Sequence, residues 1–259
     1  VNEALSNEKY SFYPGVSYRH CLVWKKGSVD IGTLTPPHDI SGRVIGPHLD
    51  RDEGAKELIE MMRKSGEVLK NHPVNLKRIS EGKRPATHIW LWGQGKKAVL
   101  DDFYDKNGLK GSVVSAVDLV QGIGRCANMK VCKVEGATGY IDTNFEGKMQ
   151  AAFNELKNGQ DYVYIHVEAP DECGHRGEIK NKVKAIEEID KKILAPLLER
   201  LKGLDDYTVL IMPDHPTPLS TMTHASDPVP FLLYRSNKPV ASAGVFSEKG
   251  ARDSGIYVD

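Results

Sequence analysis

Five side chains with metal-binding chemistry lie close to the ends of predicted β-strands. They are three imidazoles and two carboxylates, at Asp171, His175, Asp214, His215 and His224. In an open parallel sheet, ligands bind beyond the carboxyl ends of the strands, so residues at strand exits meet at one edge. Mixed nitrogen and oxygen ligands suit Mn²⁺ or Zn²⁺ better than the all-oxygen cage of Ca²⁺. Each residue alone is an ordinary polar loop residue, and the predicted metal site depends on the five together.

Other motifs for phosphate or nucleophile chemistry are incomplete or missing. The glycine pairs at 93–95 and 122–124 do not extend to GxGxxG, and neither has a well-placed acidic residue about 20 positions on. The sequence also has no GxxxxGKS or GxxxxGKT loop and no serine in a GxSxG context. These observations argue against a dinucleotide-binding protein, a P-loop kinase and a serine hydrolase.

Predicted strands and helices alternate along the chain. The first part has predicted strands over 19–24 and 87–92 and an amphipathic helix over 52–69. The second part has predicted strands over 112–116, 130–134, 161–167, 208–212 and 230–234, a helix or turn over 117–124, and helices over 147–156 and 180–201. Pro196 is expected to kink the last helix. Strands separated by helices indicate βαβ units, so the sequence predicts an α/β fold with a largely parallel sheet.

Composition narrows the kinds of partner. Lys plus Arg and Asp plus Glu each number 35, so the net charge is zero, which argues against a nucleic-acid or anionic-membrane partner. No apolar run reaches the roughly 18 residues of a membrane span. The cysteines are scattered without a CxxC pair, at Cys21, Cys126, Cys132 and Cys173. This pattern favours a reducing cytoplasm over a disulfide scaffold or zinc knuckle, and the sequence leaves the oligomeric state open.

Several segments resemble a known family. The motifs nearest the predicted metal site are DECGH at 171–175, PDHPTP at 213–218 and THASDPVPF at 223–231. Further matching segments are YRHCLVW, TPPHDISG, NLKRISEGKRPATHIWLWGQG, SAVDLVQGIG and EGATGYIDTNFEGK. Together they resemble the archaeal-type cofactor-independent phosphoglycerate mutases of the alkaline phosphatase superfamily, of which some bacterial relatives carry the label homoserine kinase.

The resemblance implies two domains and two divalent ions. Residues 1–108 correspond to a smaller inserted α/β domain that holds substrate, and residues 109–259 to the C-terminal part of a metal-binding domain whose largely parallel sheet is flanked by helices. The ions are expected to be Mn²⁺, with Zn²⁺, Co²⁺ and Mg²⁺ as alternatives, and no 2,3-bisphosphoglycerate is required. Asp171, His175 and His224 match the ligands of one metal, and Asp214 and His215 match two ligands of the other.

The family's activity is the interconversion of 3-phosphoglycerate and 2-phosphoglycerate through a phosphoserine intermediate. The segment that supplies the serine and a further metal-binding aspartate has no counterpart among residues 1–17. We therefore expect this chain to be a fragment that is inactive alone. Another phosphotransferase or phosphatase activity of the superfamily, including homoserine kinase, is the alternative enzyme reading, and a binding or structural piece is the third.

Candidate substrate-binding residues lie in the first part of the chain. A glycerate needs cationic and hydrogen-bonding groups, and an arginine offers two parallel donors to a carboxylate or phosphate. The candidates are Arg19, His38, Asp39, Arg78 and Lys96. Against this prediction, an arginine on a strand is most often a solvated or salt-bridged surface residue.

Overall fold

The computed structural model describes residues 1–15, 18–49, 53–240 and 244–258. The chain divides into two compact units, Val1–Ala98 and Val99–Asp259. No helix among the described residues is long and apolar enough to cross a membrane. The assignment of the first unit as an inserted substrate-holding domain stays a prediction.

The first unit packs a two-stranded antiparallel sheet and its longest helix around a small core. Its elements are α1 (Asn2–Leu5), β1 (Tyr10–Pro14), β2 (His20–Trp24), α2 (Lys56–Lys70) and α3 (Pro73–Ser80), with short 3₁₀ turns at Pro37–Ile40, Gly46–His48 and Glu53–Ala55. The buried core consists of Tyr10, Ile31, Leu34, Ala55, Leu58 and Met61. Strand 19–24 is confirmed as β2. Helix 52–69 is confirmed as α2, preceded by a 3₁₀ turn, and Asp52 lies outside the described residues.

The strand predicted over 87–92 is wrong. This segment runs without a strand assignment, because two of its amides bond to side chains of α2 instead of to a neighbouring strand. The amide of Ile89 donates to Ser65 Oγ at 2.9 Å, and that of Leu91 to Met62 Sδ at 3.2 Å. An apolar run indicates that a segment is buried, but it does not indicate which groups accept hydrogen bonds from the backbone amides of that segment.

The second unit contains the parallel sheet and the candidate metal residues. Its elements are α4 (Phe103–Asn107), β3 (Gly111–Val114), α5 (Asp118–Cys126), β4 (Lys130–Cys132), α6 (Phe145–Lys157), β5 (Tyr162–Ile165), α7 (Ala169–His175), α8 (Ile179–Ile189), α9 (Ala195–Leu201), β6 (Thr208–Ile211), β7 (Leu232–Arg235) and α10 (Glu248–Ser254). Strands β4, β3 and β5 form a parallel sheet in that order, with β3 central and fully buried. Strands β6 and β7 pair antiparallel. The predicted α/β fold with βαβ units is confirmed.

The predicted long helix over 180–201 is divided by a π-helical turn. Helix α8 ends at Ile189, the π turn covers Asp190–Leu194, and α9 follows from Ala195. Pro196 lies in the first turn of α9, where it has no amide hydrogen to donate and its ring crowds the carbonyl four residues before it. The wider π turn accommodates both defects, so the chain continues in helical form through the proline.

Small residues hold the helices of the second unit close together. Ala169 on α7 and Ala185 on α8 are 1% and 0% exposed, and both belong to the core. Its other buried members are Phe145, Met149, Ile193, Leu197 and Leu201. The packing of this core fixes α7, which bears two of the predicted metal ligands.

Helix α6 starts two residues before the predicted 147. Asn144 caps it by accepting a hydrogen bond from the amide of Gly147 at 2.8 Å.

Lys148 of α6 is a buried lysine of the second unit, and its pKa depends on the fold. It is 1% exposed, its Nζ donates to the His166 carbonyl at 3.1 Å, and burial lowers its pKa to about 8 although the Glu168 carboxylate opposes the shift. In the unfolded chain the pKa returns to its ordinary 10.5, so between these values the unfolded state binds more protons. The titration of Lys148 therefore increases the free energy of unfolding as the pH rises through this window.

We expect the pH-dependent contribution of Lys148 to the free energy of unfolding to be absent in Lys148→Met. From pH 8 to pH 10.5 the unfolding free energy of the wild type should rise by about 3 kcal/mol relative to that of Lys148→Met. Urea denaturation at a series of pH values measures it. Parallel stability curves for the two proteins would contradict the depressed pKa.

Candidate metal centre

Helix α7 places two of the predicted ligands on one face. The sequence predicted a loop after β5, but residues Ala169–His175 form a helix with Pro170 in its first turn, where a missing amide hydrogen costs little. The placement of Asp171 and His175 on a loop is therefore wrong. They lie four residues apart, and this spacing aligns side chains on one side of a helix.

His224 completes a close group with these two residues. His175 Nε2 lies 3.4 Å from Asp171 Oδ2, and His224 Nε2 lies 3.4 Å from Asp171 Oδ1. The two Nε2 atoms are 3.0 Å apart. Tetrahedral ligands at the usual zinc–nitrogen distance of about 2.05 Å stand about 3.3 Å from one another. The three residues therefore fit a common divalent cation in both donor type and spacing.

His215 and Asp214 lie beside this group, on the segment that follows β6. The ring centroids of His215 and His224 are 3.8 Å apart, with the ring planes tilted by 38°. One ligand atom each of Asp171, His215 and His224 lies within 4.8 Å of the others. Asp214 Oδ2 is 3.4 Å from His215 Nε2, and the Asp214 side chain is 65% exposed. The structure thus brings the predicted residues together along α7 and the segments around β6 and β7. Their division between two metals stays a prediction.

Two hydrogen bonds orient candidate ligand side chains of the centre. His175 Nδ1 is 2.9 Å from the Met222 carbonyl, which only accepts, so Nδ1 carries the proton and Nε2 keeps its lone pair. Asp171 Oδ1 accepts a hydrogen bond from Thr217 Oγ1. The sequence analysis missed both partners. Metal-binding histidines and carboxylates ordinarily have such supporting contacts, but nothing in the local sequence identifies the distant group that supplies them.

The segment after β6 is held against α8 and against α7, the helix that carries two of the predicted ligands. Lys182 Nζ on α8 donates to the Thr217 carbonyl at 2.7 Å. Burial lowers the pKa of Lys182, while the nearby Asp171 carboxylate acts in the opposite direction. A Cβ atom at Gly174 would lie 2.8 Å from the Thr217 carbonyl oxygen and 2.9 Å from Lys182 Nζ. This close approach is open only to glycine.

The predicted substrate-binding residues all lie in the first unit. His38 and Asp39 share the 3₁₀ turn Pro37–Ile40, with His38 Nε2 3.8 Å from Asp39 Oδ1. The His38 ring meets Trp92 edge-on, with centroids 5.2 Å apart.

The three cations of this set have different surroundings. The Arg19 guanidinium lies over the Tyr18 ring at 4.7 Å. Arg78 Nε donates to the Arg84 carbonyl at 2.8 Å, and Lys96 is exposed on a segment without helix or strand. The role of all five residues as substrate ligands stays a prediction.

A family model described as the metalloenzyme superfamily matches residues 33–253, so the chain belongs to that superfamily. An alkaline-phosphatase-like α/β fold and a dependence on divalent metal are what membership of this superfamily implies. Two relatives also match almost all of the chain. A Geobacter sulfurreducens protein named "Probable 2,3-bisphosphoglycerate-independent phosphoglycerate mutase" is 50% identical over 261 residues, which cover 100% of this chain and 65% of the relative. A Methanosarcina barkeri protein named as such a mutase is 49% identical, with coverages of 99% and 65%.

The chain thus spans 65% of the length of these curated relatives. A solved structure of the PH0037 protein from Pyrococcus horikoshii matches with a TM-score of 0.56 and 32% identity, covering 70% of this chain and 48% of that one. The resemblance found in the sequence motifs is confirmed by these relatives.

Proposed function

We propose that this chain carries the metal-binding part of a cofactor-independent phosphoglycerate mutase, which interconverts 3-phosphoglycerate and 2-phosphoglycerate through a phosphoserine intermediate. The observation that carries the proposal is the convergence of Asp171, His175 and His224, whose ligand atoms lie 3.0 to 3.4 Å apart. The mutases that match at 49% and 50% identity support the same reaction.

In this proposal the residues of the centre hold two divalent ions, with Mn²⁺ favoured by the mixed nitrogen and oxygen donors. Asp171, His175 and His224 hold one ion, and Asp214 and His215 contribute to the other. When bound, such ions lower the pKa of a hydroxyl nucleophile and neutralise charge on a transferring phosphoryl group. The Met222 carbonyl keeps the His175 proton on Nδ1, so Nε2 stays available as a ligand.

In this proposal the first unit retains glycerate while the phosphoryl group is transferred. Arg19, Arg78 and Lys96 supply positive charge for a carboxylate or phosphate, and His38 with Asp39 supplies hydrogen bonds to hydroxyl groups. Retention decides the outcome of the reaction, because water takes the phosphoryl group if glycerate leaves. We place this small-molecule reaction in the cytoplasm, with no nucleic acid or membrane as partner.

The test is a hybrid in which this chain replaces the matching residues of the Geobacter relative. We expect the hybrid to convert 3-phosphoglycerate to 2-phosphoglycerate with added Mn²⁺ and without ATP or 2,3-bisphosphoglycerate, as followed by an enolase-coupled assay. The 259-residue chain alone is expected to show no turnover, because the serine nucleophile is predicted to lie outside it.

Three results would contradict these expectations. ATP-dependent phosphorylation of homoserine by the hybrid would favour the alternative kinase reading. Release of inorganic phosphate without 2-phosphoglycerate would indicate a phosphatase. A mutase rate from the 259-residue chain alone would contradict the predicted absence of the nucleophile.

A further inference from the structure

Thr217 lies between the two groups of candidate metal ligands. We propose that it is a positioning residue, whose hydroxyl fixes Asp171 relative to His215 and thereby sets the metal affinity of the centre. This inference rests on the metal centre proposed above and adds a residue that contributes no ligand atom of its own.

The side chain of Thr217 faces a residue of each group. Its Oγ1 donates to Asp171 Oδ1, the same oxygen that lies 3.4 Å from His224 Nε2. The same Oγ1 is 3.5 Å from His215 Nδ1, a long contact in which the hydroxyl can only accept, because its single proton is donated to Asp171. Thr217 is 5% exposed, so water has little access to replace these contacts.

The backbone around Thr217 is held from two further directions. Lys182 Nζ on α8 donates to the Thr217 carbonyl at 2.7 Å. The amide of Ala225, the residue after His224, donates to the Pro216 carbonyl at 3.0 Å. The backbone that carries the hydroxyl is therefore fixed. Because the hydroxyl cannot move with the Asp171 carboxylate, its hydrogen bond can hold that carboxylate in one orientation.

Removing the hydroxyl leaves Asp171 Oδ1 without this donor and frees the carboxylate to rotate. Loss of such a supporting hydrogen bond typically lowers metal affinity by about 10- to 100-fold. The loss is specific to the hydroxyl, because valine has the shape of threonine without its polar atom.

The experiment is a Co²⁺ titration of the 259-residue chain, read by calorimetry and by the visible absorption of bound Co²⁺. We expect Thr217→Val to bind Co²⁺ about 10- to 100-fold more weakly and to change the absorption spectrum, while Thr217→Ser stays within about threefold of wild type. Thr221→Val is the matched control, because Thr221 is an exposed threonine of the same segment. If the valine variant does not fold, Thr217→Ala compared with Thr217→Ser measures the same hydroxyl without the methyl group.

The outcomes separate this inference from the proposal on which it rests. Wild-type affinity and spectrum in both Thr217→Val and Thr217→Ala would overturn the positioning role and leave the metal centre intact. Equal weakening in Thr217→Ser and Thr217→Ala would also overturn it, because the hydroxyl would then be irrelevant. A wild-type chain that binds no Co²⁺ would overturn the metal centre and the inference together.

Discussion

Asp171→Asn is expected to lower the affinity for Mn²⁺ or Co²⁺ by at least about 100-fold and to abolish mutase turnover of the Geobacter hybrid. Asp171 contacts both His175 and His224, so it takes part in two of the three close pairs of ligand atoms and supplies the only negative charge among these three residues. Asparagine keeps the shape of the side chain but removes the negative charge that offsets a divalent cation. Calorimetric titration with each metal measures the first effect, and the enolase-coupled assay measures the second.

The control for this variant is Asp205→Asn, which removes an exposed aspartate from the same unit. It should bind metal and turn over like the wild type. The metal-free thermal midpoint of Asp171→Asn should stay close to that of wild type, because the carboxylate is partly exposed and belongs to no apolar cluster. Retained metal affinity in Asp171→Asn would show that Asp171 is not a ligand.

Gly174→Ala should destabilise the fold, although a glycine-to-alanine change inside a helix ordinarily stabilises it by about 1 kcal/mol. The new Cβ would lie 2.8 Å from the Thr217 carbonyl oxygen, closer than such atoms approach one another. The segment after β6 must then move away from α7, which strains the hydrogen bond from Lys182 and separates Thr217 from Asp171. Overpacking of this kind costs about 1–3 kcal/mol, and we expect the affinity for Co²⁺ to fall with it.

The matched control is Gly122→Ala in helix α5, where the added Cβ would meet nothing within 4 Å. Urea denaturation should therefore give changes of opposite sign for the two variants. A Gly174→Ala protein that is as stable as Gly122→Ala and binds Co²⁺ normally would contradict the close packing of α7 against Thr217.

The strand-exit rule grouped Asp171, Asp214 and His215 by treating the strands before them as members of one parallel sheet. In the structure Asp171 follows β5 of the parallel sheet, whereas Asp214 and His215 follow β6, which pairs antiparallel with β7, so the packing of α7 against the segment after β6 brings them together. The strand-exit rule did not reveal helix α7, since this helix contains Gly174 and its 7 residues make barely two turns. Hydrophobic periodicity needs a longer window to distinguish a short helix from a loop.

The supporting contacts of the centre were beyond sequence reasoning for another reason. Thr217 is 46 residues from Asp171 along the chain, and Met222 is 47 residues from His175. Such pairs depend on how α7 packs against the segment after β6, which follows from the whole core and not from any local pattern. Lys182 illustrates the same limit, because helical spacing places it on α8 but does not give its bond to the Thr217 carbonyl.

The attachment of residues 87–92 to α2 determines how this segment responds to substitution. In a β-ladder, shifting one residue disturbs the bonds of its neighbours, whereas Ser65 and Met62 each hold a separate amide. A substitution at one of these helix positions therefore adjusts one anchoring point and leaves the other in place. The segment leads to Lys96, so substitutions in α2 can shift this exposed cation by small steps without rebuilding a sheet.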